Sequence, residues 1–211
     1  TTDHLSHPNE PDEKEDMVSI NMNHIDKTDD FISGFFASFH VYPYYPEFLN
    51  FSTQYRGFID HRGEENLYQG YLTALLDSLD MPVLIAEFGV PASRGKTHQD
   101  FNRGFNQGFL SEEDQGLMNV EMIEDIYHSG SIGALLFTWQ DEWFKRTWNT
   151  MDLDEASRRP NWSNVQTNEQ HFGILAFDPG EDQSIRYVDG DIEDWDDSQP
   201  ILSNEQLDLY T

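Results

Sequence analysis

The chain contains no cysteine, so it can form neither a disulfide framework nor a thiolate site. Lysine is scarce as well: Lys14, Lys27, Lys96 and Lys145 are the only four among twelve cations, set against forty acids. The formal charge of −28 repels polyanions, which makes nucleic acid and anionic membrane surfaces poor partners. No apolar run approaches the roughly 18 residues of a membrane span, so membrane insertion is not expected. No glycine-rich phosphate loop follows an apolar run. HExxH and paired metal-ligand spacings are missing too, and the eight histidines are scattered. The sequence therefore predicts no cofactor and no metal site.

The acid excess has two readings. A lysine-poor, acidic surface suits concentrated salt, where the Debye length falls to about 3 Å at 1 M and self-repulsion is screened. The alternative is an acidic binding surface; solvent adaptation is the expectation, and it points to a high-salt environment. The compartment stays open, with an extracellular or cell-surface setting favoured. The length of 211 residues allows one medium domain, or a domain with a fragment of a second.

Three short apolar runs organise what is there. Residues 34–45 (GFFASFHVYPYY) predict a buried strand with His40 and Tyr42 at its end, stopped by Pro43. Residues 82–88 predict a second strand, buried on both faces, that delivers Glu87 just before Gly89. Residues 132–139 predict a third, ending at Trp139. Between the first two, Leu67, Tyr71, Leu72, Leu75, Leu76 and Leu79 fall on one helical face. Between the second and third, Ser111 with Glu112, Glu113 and Asp114 opens a helix that Gly130 stops. Its expected inward residues are Leu117, Val120, Ile123, Ile126 and Tyr127.

Elsewhere the pattern is weaker. Residues 1–16 read as a polar arm, 17–25 as a short strand, 26–33 as a helical turn and 92–110 as a long loop. The loop aromatics Tyr42, Tyr44, Tyr45, Phe48 and Phe51 form either a satellite core or a sugar-stacking surface. The alternation of strand and helix predicts an α/β fold with parallel strands, either a barrel or a doubly wound sheet.

The order of strand ends carries a resemblance. FHVYPYYP (39–46), PVLIAEFG (82–89) and ALLFTWQDEW (134–143) resemble the last three strands of the clan A (β/α)8 glycoside hydrolases. That resemblance implies the C-terminal portion of a (β/α)8 TIM barrel, about strands six to eight. It divides the chain into an acidic N-terminal region (1–33), the barrel part (34–180) and a tail (181–211). It further implies a retaining glycosidase acting on an oligo- or polysaccharide. In that mechanism two carboxyl groups about 5–5.5 Å apart act as nucleophile and acid/base.

Glu87 would be the nucleophile and Tyr42 its hydrogen-bond partner. His40, Tyr44, Trp139 and Glu142 would contact the sugar, Trp139 through its flat face. Asp141, Glu142 and Trp143 either line the cleft or anchor the loop. The acid/base is expected upstream of these strands. Glu10, within Asn9-Glu10-Pro11, matches the family's acid/base motif, yet the residues before it cannot be a buried strand.

The chain would then be inactive alone, and would pair with a second copy or with a missing barrel half. Residues 185–195 read either as the start of a β-sandwich carbohydrate-binding module or as an acidic tail. A non-catalytic carbohydrate-binding or scaffold half-barrel is the alternative function.

Overall fold

The computed structural model describes residues 22–45, 48–142, 144–147, 150–161 and 166–175, with two short strands near the carboxyl terminus. In chain order the elements are β1 (Ala37–His40), α1 (Phe48–Phe51), α2 (Leu67–Asp77), β2 (Val83–Phe88), β3 (Lys96–His98), β4 (Gln107–Gly108), α3 (Glu112–His128) and β5 (Gly133–Leu136). Strands β1, β2 and β5 form a parallel sheet in that order. The fold is α/β.

Helix α2 begins at Asn66, whose side chain accepts from the Gln69 backbone N–H. Leu67, Tyr68, Tyr71, Leu72 and Leu75 bury its apolar face against Ala37, Val83, Ile85 and Phe88 of the sheet. Helix α3 begins with a capping box between Ser111 and Asp114, and Gly130 follows its end at φ 90°. The two helices pack against each other and α3 packs against β2 and β5.

The inward face of α3 differs from the expected one. Leu117, Val120, Ile123 and Tyr127 are exposed, whereas Gln115, Asn119, Met122, Asp125 and Ile126 are buried. The reason is hydrogen bonding. Gln115 donates to the Val90 and His171 carbonyls, and Asn119 accepts from the Val90 N–H. Asp125 takes hydrogen bonds from Arg62, Arg103 and Asn66. Buried polar groups whose partners are fixed outweigh apolar periodicity, because leaving them unpaired costs about 1–3 kcal/mol each.

Strand β2 is not buried on both faces either. Val83, Ile85 and Phe88 are buried, while Leu84, Ala86 and Glu87 are half-buried. In the register with β1, Phe39 faces Ile85 but His40 faces Glu87, so β2 carries one extra residue there. A one-residue shift exchanges the faces of a strand. Phe88 therefore joins the buried face, and Glu87 turns to the opposite one.

Two other expectations change. Residues 22–24 form a 3-10 turn rather than a strand, and the long loop after β2 contains the antiparallel pair β3–β4. The Thr28 carbonyl closes one turn with the Phe31 N–H within the segment 26–33. Residues 1–16 and 185–195, with Glu10 among them, lie outside the described residues. Residues 176–211 form a separate compact unit, in which β6 (Leu202–Asn204) and β7 (Leu207–Leu209) make an antiparallel pair.

Candidate functional site

A cleft of about 340 Å³ opens at the carboxyl ends of the parallel strands. This is the edge at which α/β sheets present functional side chains, because the strands end there and their loops diverge. Tyr42 reaches it from just beyond β1, Glu87 from the end of β2 and Phe137 from just beyond β5. His98 and Gln107 come from the β3–β4 pair, and Lys145, Glu169 and Phe172 from the segments after β5.

Glu87 is the centre of the polar contacts. The Tyr42 hydroxyl donates to its Oε2 at 2.8 Å, and His40 Nδ1 lies 3.2 Å from the same oxygen. Burial pushes the Tyr42 phenol well above the ordinary tyrosine range, and the bond to Glu87 adds to the shift. Tyr42 is therefore held as a donor to Glu87 at neutral pH. Tyr44 is fully buried, donates to the Gly89 carbonyl at 3.2 Å and underlies the cleft. Its phenol is also raised by burial.

The opposite wall carries a second polar group. Lys145 Nζ sits 3.0 Å from Glu142 and 3.3 Å from Glu169, and it lies 4.3 Å from the centre of the Phe137 ring. Gln107 donates to Glu169. Glu169 is thus bound on both oxygens by an ammonium and an amide.

The expected site residues separate into two groups. Tyr42, Tyr44 and Glu87 line the cleft together, with His40 against Glu87. Trp139 and Glu142 are not among the lining residues. Trp139 is 67% exposed, and its carbonyl is tied to the Leu175 N–H. Phe137, two residues earlier, is the aromatic that this segment brings to the cleft. Glu142 binds Lys145, while Asp141 accepts from the Gly173 N–H and so anchors the loop. Trp143 lies outside the described residues.

Phe137, His98, Gln107, Lys145 and Glu169 carry no site signal in the sequence. Phe137 was visible only as part of an apolar run. Lys145 stands out only by its rarity in a lysine-poor chain. The others depend on loop paths that carry no periodicity.

Among the described residues, one group of side chains has the spacing of a cation site: Asp60, His61 and Asp125. The Arg62 guanidinium already binds both Asp60 and Asp125, so the positive charge there is supplied by the chain itself. No protein-family model, curated protein or solved structure matches the chain.

Proposed function

We propose that the chain carries the nucleophile of a retaining glycoside hydrolase, with Glu87 as the attacking carboxylate. The observation that carries this reading is the hydrogen bond from Tyr42 to Glu87, made inside a cleft with an aromatic wall. A phenol and an imidazole on one oxygen hold a carboxylate in a single orientation, which an in-line attack requires. The aromatic wall suits the apolar face of a sugar ring.

Sequential parallel strands joined through α2 and α3, which pack together, fit consecutive units of a barrel, an arrangement that one half of a doubly wound sheet shares. In this reading β1, β2 and β5 are strands six to eight of a (β/α)8 barrel. Exposed Leu135 and the outer edges of β1 and β5 would be covered by the remaining strands or by a second copy.

A retaining mechanism also needs an acid/base carboxyl about 5–5.5 Å from the nucleophile. Among the described residues that line the cleft Glu169 is the other carboxylate, and its bonds to Lys145 and Gln107 fit a fixed acceptor better than a proton donor. That observation favours a second reading for the chain by itself: a carbohydrate-binding half-barrel without turnover.

The test uses a leaving group that needs no acid. The chain is incubated with dinitrophenyl 2-deoxy-2-fluoroglycosides of gluco, manno and galacto configuration. A Glu87 oxygen attacks the anomeric carbon, the bond from that carbon to the phenolic oxygen breaks, and dinitrophenolate leaves with the electron pair. Peptide mass spectrometry then finds the fluoroglycosyl ester on Glu87 and none in Glu87→Gln. Absence of the ester from the wild-type chain with all three sugars overturns the nucleophile assignment.

A further inference from the structure

The aromatic loop after β1 divides sharply. Tyr44 is buried, but Tyr45 is exposed and lines the cleft, its ring 5.1 Å from that of His98. Farther along the same two segments a second pair stands in solvent. Phe51 and Phe101 are 68% and 64% exposed, with ring centroids 6.4 Å apart. The second pair is not a loose tip. Asn50, itself buried, donates to the Gln99 carbonyl at 2.7 Å and accepts from the Phe101 N–H at 2.8 Å, which rivets α1 to the chain leaving β3. Buried Asp100 then accepts from the N–H groups of Asn102, Arg103 and Phe105, holding the turn that carries Phe101.

We propose that Phe51 and Phe101 form a distal sugar-stacking subsite, joined to the cleft through Tyr45 and His98, for a neutral oligosaccharide chain. His98 and Phe101 are three residues apart, at most about 10–11 Å of chain, so the two aromatic pairs lie within one oligosaccharide's span. The backbone that carries the rings is already ordered, and the two rings, tilted 56° to each other, can each offer a face to the C–H face of a pyranose. The net charge of −28 opposes uronic or sulfated chains, which leaves neutral sugars as the occupant. The position of the subsite rests on the cleft being a sugar site, but not on Glu87 acting as a nucleophile.

The experiment is a titration of the wild-type chain, Phe51→Ala and Phe101→Ala with neutral gluco-, manno- and galacto-configured oligosaccharides, from disaccharide to hexasaccharide. In the wild type, affinity is expected to rise with length for one series. Each variant should lose about two- to tenfold on the longest sugar and keep wild-type affinity for the disaccharide. Both rings are exposed, and an unchanged melting temperature certifies the fold. Equal affinity across lengths, no binding of any series, or variants that bind the hexasaccharide like wild type would each overturn the subsite. So would loss of self-association in the variants without loss of sugar binding, which would make the pair a contact between copies. Glu87→Gln, carried in parallel, separates the two ideas. Retained length dependence without an ester on Glu87 in the wild type leaves the subsite standing and removes the nucleophile.

Discussion

His40 and Glu87 are register partners at the carboxyl ends of neighbouring parallel strands, and His40 Nδ1 lies 3.2 Å from Glu87 Oε2. The pairing exists because β2 carries one extra residue beside Phe39 and His40, which turns Glu87 away from the helix-covered face. Tyr42 reaches the same oxygen, so Oε1 is left as the attacking oxygen in the proposed reaction.

Replacing Tyr42 with Phe removes that hydrogen bond and little else. Bonds to charged groups contribute about 1.5–3 kcal/mol, so fluoroglycosyl labelling of Glu87 should slow by about 10- to 100-fold. Labelling kinetics measure it directly. A wild-type rate in Tyr42→Phe would mean that the bond does not orient the nucleophile.

Phe137 and Trp139 make a second comparison. Phe137 lines the cleft and Trp139 stands outside it, so Phe137→Ala should lower disaccharide affinity. Trp139→Ala should leave it within a factor of about two, as for other exposed substitutions. Isothermal titration distinguishes the two, and the reverse order would return Trp139 to the sugar site.

Alkali should unfold the protein cooperatively. Tyr42, Tyr44, Tyr68 and Tyr71 are all raised above the ordinary tyrosine value by burial. Above about pH 10 the unfolded chain releases these protons while the folded chain keeps them. Stability present at neutral pH is therefore lost as pH rises, by about 1.4 kcal/mol per pH unit for each such tyrosine. Tyrosinate absorbance and circular dichroism should change together. Ionisation of all four without unfolding would contradict the burial of these rings.

Asp125 joins Arg62, Arg103 and Asn66 at the inner side of α3. Asp125→Asn keeps the shape but removes the charge between two arginines. The expected loss is about 3–5 kcal/mol in urea unfolding, as for other broken buried pairs. A loss below about 1 kcal/mol would make the network dispensable.

Salt should stabilise the fold. With forty acids against twelve cations, screening weakens self-repulsion, so the melting temperature should rise from dilute buffer to about 1 M salt. A constant melting temperature would detach the acid excess from solvent adaptation.

The α/β alternation, both helix starts and the placement of Tyr42 and Glu87 at strand ends are legible in the residues alone. These are local properties: apolar runs bounded by Pro and Gly, a Ser–Asp capping box, and leucines repeating at helical spacing. Tertiary structure decided which faces those elements show. Apolar periodicity pointed Leu117, Val120, Ile123 and Tyr127 inward, yet α3 turns them out because Gln115, Asn119 and Asp125 find partners far away in the chain.

The far side of the cleft depends on long-range packing. Phe137 in place of Trp139, and the grouping of Lys145, Glu169 and Gln107, follow from loop paths set by distant hydrogen bonds. Local pattern has no access to a partner 62 residues away, as in the bond from Gln107 to Glu169.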